Sequence, residues 1–580
     1  MKMHTCFNGI LFCFFSFMFS FLEIFFSSQA LAYTPPIGIP SPTFGIEQQH
    51  TAYAGQTYAA GGFIYRDSGN GPFSHYIDNT SMNCTDINNS FGTIDSPRCS
   101  IPTSIPIGSI IELHGGPYNN INISGVKGTS SNPIFIRGYS SSNKIHINGR
   151  DANKRSVSVN NSSYVIIENI ITDGSTLTGQ IPSSGIAVRS PADHIAVRHS
   201  ECTGYPIPDL CVDSACWNAA LWSVGAGSDG AAGGRVSNIV FYDNFIHNNA
   251  DKTWPPLYET GRHGIMILGG AEYVWIIGNK MTRSGDDGVQ VYWATSGANG
   301  PPAHHLYIGD NKIYEMGENA FDIKQSYDVV ISKNKVWGFR KTNQLGAGSD
   351  GSAIVLNNDD PSDRLWVLYN EIFNSNIGIR ANTAGAANLI GNVIYNIVRT
   401  EGAPAPTATN VSGCGITASR SADLNILYNT LGKIDSGVCI ASTAGPIHAD
   451  NNLITNLNEA TVGYAIAYYT GTLPVYNNMI YSANGNNRLL KISCNNCVVG
   501  SDPLLFDVKN NDFRVSAGSP AISAGGGIST SFNTFNSLYN MDISYDFDGR
   551  NRPTAGPWTL GAFEYSTNIP APIIDLIAPK

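Results

Sequence analysis

From Asn238 to Asn478 the chain repeats one phrase: a short run of alternating apolar residues, an Asn, another apolar pair, then a turn. NIVFYDNFIHNN, YVWIIGNKMTRS, HLYIGDNKIYEM and RLWVLYNEIFNS are four of the copies, and the recurring residue is Asn244, Asn279, Asn311, Asn334, Asn370, Asn392, Asn429, Asn452 and Asn478. Successive copies are 35, 32, 23, 36, 22, 37, 23 and 26 residues apart. A minimum of 22 to 23 residues, with extra length arriving in discrete blocks, is the signature of a solenoid whose unit is one coil. A second apolar run precedes each phrase, as in SGIAVRS, HGIMILG, DGVQVYW, NAFDIKQ, GSAIVLN and NIGIRAN. Both runs have the period of two that buries alternate side chains of a strand. Stacked coils would bury a continuous apolar interior and pair each strand with its equivalents about 4.8 Å above and below. Parallel crossovers are right-handed. The expected fold is therefore all-β: a single-stranded right-handed parallel β-helix of roughly ten or more coils. The repeated Asn reads as scaffold, because at a tight turn it tolerates left-handed backbone and its side chain can bond the Asn of the next coil.

The limits of the repeat divide the chain. Residues 1–32 carry Lys2 and His4 ahead of a Phe-rich run and end in Ala30-Leu31-Ala32, the pattern of a cleaved signal peptide, so a secreted or cell-surface protein is expected. Glu23 in the second half of that run disfavours a retained anchor, and no other stretch could span a membrane. Residues 33–72, rich in Pro, Gly and Tyr, read as linker or irregular edge, and 73–500 as the β-helix. Beyond Val499 the rhythm changes to DPLLFDVKNNDFRVSAGSPAISAGG, DISYDFDGRNRP and LGAFEY, so 501–565 reads as a C-terminal cap and 566–580 as a tail. A cap is expected because an open solenoid end exposes unpaired strand edges.

Composition changes this picture little. Gly is 60 of 580 residues and charged residues are 13%, as many tight turns and a broad interior require. The formal charge of −10 argues against nucleic acid as partner. Cysteines suit an oxidising compartment: Cys414 and Cys439 sit one coil apart, Cys84 with Cys99 could close an edge loop, and Cys494 with Cys497 could form a local disulfide. The trio Cys202, Cys211 and Cys216 could fasten one long loop.

Chemistry must sit on an outer face. If Val289 and Val291 point inward, Asp287 stands at the start of its strand while Gln290 and Tyr292 point out; one coil on, Asp322 and Lys324 point out, followed by Asn357 and Arg380. His263 begins the preceding strand, and Asp286 precedes Asp287. This density of polar groups is unusual in so uncharged a chain. Insertions bordering the same strands carry Trp217, Trp254, Tyr258 and Trp293, flat rings of the kind on which a sugar's C–H face stacks. His263, Gln290, Tyr292, Trp293, Asn357 and Trp254 are the candidate substrate-binding residues.

Two resemblances follow. HYIDNTSMNCTD with GTIDSPRCSIP, and the segment after Val499, resemble the first coil and the C-terminal cap of secreted bacterial β-helix proteins of the pectate-lyase-like group. Gly285-Asp286-Asp287-Gly288-Val289, followed by Asn319-Ala320-Phe321 and a nearby Lys, resembles family 9 polysaccharide lyases over roughly 40 residues. In that family, acidic residues of the first phrase bind calcium and a Lys after the second is the base. The resemblance implies calcium as cofactor, an acidic polysaccharide as substrate and β-elimination as reaction, in a protein expected to be a monomer. Asp286, Asp287 and Asp322 would hold the cation, Lys324 with a lowered pKa would remove the proton, and Arg380 would grip a carboxylate. Two departures stand out: Gln290 replaces a further Asp, and Asp322 falls where the Lys is expected. The alternatives are a glycoside hydrolase using Asp286 or Asp287 with Asp322, and a non-catalytic glycan-binding β-helix.

Overall fold

Three parallel sheets of 13 strands each stack along the chain. The computed structural model describes residues 33–50, 57–58, 61–151, 153, 155–177, 184–205, 219–226, 234–249, 262–292, 301–340, 350–357, 363–399, 406–458 and 463–567. Sheet I runs from His75–Asp78 to Ile447–Asp450, sheet II from Ile145–Ile147 to Val498–Val499, and sheet III from Ile121–Ser124 to Leu489–Leu490. Each coil gives one strand to III, then I, then II, as in Ala219–Gly225, Val236–Tyr242 and Phe245–Asn249. This is the right-handed parallel β-helix expected from the repeat.

The alternation of apolar residues puts whole columns inside. In sheet I, Val197, Phe241, Ile276, Ile308, Ile331, Val367, Leu389 and Ile426 stand in register on successive rungs, all buried. Val224, Ile267, Val291, Ile323, Leu356, Ala381 and Ala418 form the matching column of sheet III. One continuous apolar cluster extends from Ile77 to Ile480.

The turn from sheet I to sheet II holds the repeated Asn. Every Asn from Asn244 onward is buried, and both its backbone N–H and its Nδ2 donate to Oδ1 of the next, ending at Asn478; Asn311 does so to Asn334 at 2.9 Å each. The Nδ2 group also donates to a carbonyl of the coil before, as from Asn311 to Ile276 at 2.9 Å. One detail differs from expectation. The left-handed backbone belongs to the residue preceding each ladder Asn: Asp243, Gly278, Asp310, Lys333, Tyr369, Gly391, Tyr428, Asn451 and Asn477 all have φ between 50° and 67°. That twist turns the Asn side chain inward, where it can serve the next rung.

The outer side of sheet I is covered by the chain's two flanking segments. Residues 35–50 lie on it, with Trp275 Nε1 donating to the Pro40 carbonyl at 2.8 Å and Arg198 donating to the carbonyls of Gly45, Ile46 and Gln48 at 3.2, 2.8 and 2.8 Å. Farther along, the helix Thr530–Tyr539 sets Phe535 edge-on against Trp366 at 4.9 Å, and Tyr369 and Tyr428 donate to the carbonyls of Ile543 and Gly527. Phe513 lies over Gly432 of sheet II. Disulfides join Cys84 to Cys99, Cys414 to Cys439 and Cys494 to Cys497. Cys202 does not join a loop-fastening trio: its thiol is free and buried in the apolar interior, because its strand position points inward. Cys211, Cys216 and residues 1–32 lie outside the described residues. Among the described residues no helix is long and apolar enough to cross a membrane.

Candidate functional site

Sheet III differs from its neighbours in how the chain reaches it. The turns from sheet I to sheet II are short and uniform, as between Tyr242 and Phe245, whereas the extra length of the repeat enters beside sheet III. Long connections precede Ala219–Gly225, Arg262–Leu268 and Ser352–Asn357, and another follows Val289–Tyr292. Trp217, Trp254, Tyr258 and Trp293 fall in these connections, outside the described residues.

On this sheet the outward residues fall into rows. Met266, Gln290, Asp322, Val355, Arg380 and Thr417 pair in sequence along one row. At the strand starts, His263 follows Ala220, and Gly264 N–H donates to the Asp287 carbonyl at 2.9 Å. Glycines bring the rungs together here: a Cβ on Gly288 would stand 2.7 Å from the Ala320 carbonyl oxygen, and one on Gly317 would stand 2.2 Å from that of Gly285. The second closure carries Glu318 to Asp286.

The result is a buried ionic cluster. His263 is 1% exposed and Asp287 0%. His263 Nδ1 lies 3.2 Å from Asp287 Oδ2 and Nε2 lies 3.5 Å from Asp286 Oδ2. Asp287 Oδ1 accepts from the Asn319 N–H at 3.1 Å, and Asp287 Oδ2 accepts from Gln290 Nε2 at 3.1 Å. Asp322, one rung beyond Gln290, is paired with Lys324 at 2.6 Å. Asp322 Oδ1 and Gln290 Oε1 are buried without hydrogen-bond partners among the described residues.

Charge crowding sets the protonation. Burial, then the negative charge of Asp287, raises the Asp322 carboxyl to about 6 even against the pull of Lys324. Burial together with Asp287 and Asp286 pushes Glu318 well above the usual carboxylate range. For Lys324, burial favours the neutral amine, but Asp322 and Asp287 outweigh it and raise the pKa above the ordinary lysine value. The lowered Lys pKa expected for a base is thus reversed in the resting site, because two carboxylates hold the ammonium charged.

The expected residues are therefore brought together unevenly. Asp286 and Asp287 converge with His263 on one potential cation position, their ligand atoms all within 4.8 Å of one another. Asp322 is engaged by Lys324 on the neighbouring rung. Gln290 and Asp322 stand in the outward row, Asp286 and Asp287 lie just ahead of their strand, and all four are buried. Tyr292 is half-buried and Asn357 exposed, in the row that includes Lys324, while Arg380 stands two rungs from Asp322, about 10 Å away. Its guanidinium is 3.8 Å from Asp350. Glu318 was missed by sequence reasoning. It lies between strands, where period-two patterning does not reach, and the usable signal was its position beside Asn319.

Calcium takes about six to eight oxygen ligands. Here an imidazole nitrogen stands among the three nearest donors, and the neighbouring Gln290 is a neutral amide that donates to Asp287. This donor set does not fit calcium.

Fold and site together define a right-handed parallel β-helix that carries a buried ionic cluster on sheet III. Residues 222–360, which contain the cluster, match the family model described as right handed beta helix region. The solved structures similar to this chain include GH136 lacto-N-biosidase from Eubacterium ramulus, at 14% identity and TM-score 0.36 over 73% of this chain and 67% of that one. Pectate lyase Pel9A is 14% identical with TM-score 0.35, covering 85% of this chain and 96% of that one. An alginate lyase from Paenibacillus is 14% identical with TM-score 0.27 over 59% and 92%. No curated protein matches the sequence significantly.

Proposed function

We propose that this is an exported polysaccharide-degrading enzyme that cleaves a uronic-acid polymer by β-elimination on sheet III. The observation that carries the reading is the Asp322–Lys324 pair, at 2.6 Å, beside a buried carboxylate cluster on the one sheet flanked by long connections. Elimination needs the substrate carboxylate held against positive charge and a base at the neighbouring C–H. Arg380, half-exposed and 3.8 Å from Asp350, would bind a carboxylate, with Asn357 and Tyr292 in the neighbouring row of the same sheet. Lys324 is the base. Its amine becomes competent when bound positive charge offsets the negative charge of Asp322 and Asp287, so the productive state keeps Asp322 ionised, above about pH 6. Export is supported by the Lys2-to-Ala32 signal pattern and by three disulfides, which persist in oxidising compartments.

A second reading is hydrolysis. It is favoured by the raised carboxyls of Asp322 and Glu318 near ionised Asp residues, since carboxyls whose environments push their pKa values apart can divide acid and base roles. A screen of the purified protein against uronate polysaccharides separates the readings. Growth of the ultraviolet absorbance of unsaturated products is expected. Reducing ends without that absorbance would favour hydrolysis, and neither signal, with saturable binding, would leave a glycan-binding protein.

A further inference from the structure

We propose that His263, Asp286 and Asp287 form a binding site for a divalent transition cation such as zinc, and that this site discriminates against calcium. It deepens the reading of the sheet III site and rests on that reading for the place of the chemistry.

The geometry is that of a ligand set. The imidazole and two carboxylates present donor atoms within 4.8 Å of one another, all buried. Zinc binds His nitrogen and carboxylate oxygen at about 2.0–2.2 Å, so tetrahedral ligands around it stand about 3.3–3.5 Å apart. His263 Nδ1 stands 3.2 Å from Asp287 Oδ2, close to that spacing, and one donor atom from each of the three residues lies within 4.8 Å of the others. A second observation points the same way. Gln290 is 5% exposed and its Nε2 is fixed to Asp287 Oδ2, yet its Oε1 has no hydrogen-bond partner among the described residues. A buried amide oxygen anchored at the rim of a carboxylate pair is a further donor for a cation or for its bound water.

Supporting contacts hold the ligands in place. The Asn319 N–H donates to Asp287 Oδ1, leaving Oδ2 on the His263 side, an outer contact of the kind that orients a coordinating carboxylate. Gly288, whose own Cβ would meet the Ala320 carbonyl oxygen at 2.7 Å, fixes the backbone directly after Asp287. The choice of metal follows from the imidazole. Nitrogen donors suit zinc, copper, nickel and iron, whereas calcium takes oxygen donors, and here the imidazole of His263 stands among the three nearest donors.

The test uses the whole protein, stripped with chelator, dialysed, and titrated with zinc or cobalt chloride and separately with calcium chloride, with no polysaccharide present. One zinc site is expected, at least about hundredfold tighter than any calcium binding, and His263→Ala should weaken it by about hundredfold or more. His263→Asp should move the preference toward calcium. In the unmutated protein, the electron paramagnetic resonance spectrum of one bound copper(II) should show splitting from a coordinated nitrogen. That readout stands even if the His263 variants do not fold. Absence of zinc binding, calcium binding as tight as zinc, zinc binding unchanged in a folded His263→Ala protein, or a copper spectrum without nitrogen splitting each overturns the proposal. Because no substrate enters the titration, a protein that binds zinc through His263 but cleaves no uronate leaves this inference standing and removes the reaction.

Discussion

Two buried polar regions run through the same solenoid and are built on opposite terms. At the corner between sheets I and II, nine Asn residues repeat one arrangement, every side-chain amide bonded to a backbone carbonyl and the first eight also to the next Asn. On sheet III, His263, Asp286, Asp287, Glu318, Asp322 and Lys324 occur once each, crowd like charges together, and leave Asp322 Oδ1 and Gln290 Oε1 without hydrogen bonds among the described residues. A satisfied, repeating network stabilises the stack; an unrepeated, unsatisfied one opposes folding and persists only where it serves another end. Burial of polar groups alone does not mark a site. What marks sheet III is crowded like charge, which raises Asp322 and Glu318 together.

The contrast is broken most severely by exchanging the expected effects of two substitutions. Lys324→Ala should lower turnover on the polymer found by screening by a factor of about 10² to 10⁴, with little change in the unfolding midpoint, since Lys324 is half-exposed and lies beyond the end of its strand. Near wild-type turnover would remove the reaction from this face. Asn334→Ala should do the reverse. It strips the acceptor from both Asn311 donors and removes the Nδ2 donor to Asn370 and to the Ile308 carbonyl, at a cost of about 3 kcal/mol in denaturant unfolding, with kinetics unchanged in whatever remains folded.

The pH dependence sharpens the same comparison with a smaller effect. Glu168, beneath residues 35–50, would be raised by burial, but hydrogen bonding from His50 and the charge of Arg198 bring it down to about 2. Its folded value is depressed, so its contribution is complete above the ordinary Glu pKa and is lost as pH falls toward 2. Asp322 is raised to about 6, so its charging opposes folding, and this component of stability declines as pH rises from about 4 to 6, with a limiting slope of about 1.4 kcal/mol for each step of one in pH. Asp322→Asn should flatten that decline. Activity divides the two reactions: elimination, which uses the ionised Asp322, should rise with pH through about 6, whereas hydrolysis with Asp322 as proton donor should fall there.

The ladder was legible because it repeats. Asn244 to Asn478 could be aligned by eye, and the strand alternation placed Val289, Val291 and Ile323 inward without any structure. The site was legible only in part. Asp286, Asp287 and Lys324 were found because they sit in or beside strands, where period two assigns a face. Glu318 escaped because it lies on a turn, and His263 was assigned to substrate because nothing along the chain says that Asp287, one rung away, would meet its imidazole. The direction of the Lys324 shift was likewise hidden. It depends on Asp322, two residues away, and then on Asp287 from another coil, a distance that sequence spacing does not encode. The placement of residues 512–563 against the flank of the coils rests on scattered aromatic contacts such as Phe535 on Trp366, which have no period to read.

The central claim is that the sheet III cluster is retained for chemistry against the interest of stability, and one variant tests it directly. Asp286→Asn removes a charge from beside Asp287 and Glu318 while keeping the shape of the side chain. In chelator-treated protein the urea midpoint of Asp286→Asn should equal or exceed that of the unaltered chain, as relief of like-charge crowding requires. A midpoint lowered as far as that of Asn334→Ala would contradict the account, because the cluster would then be scaffold of the same kind as the ladder.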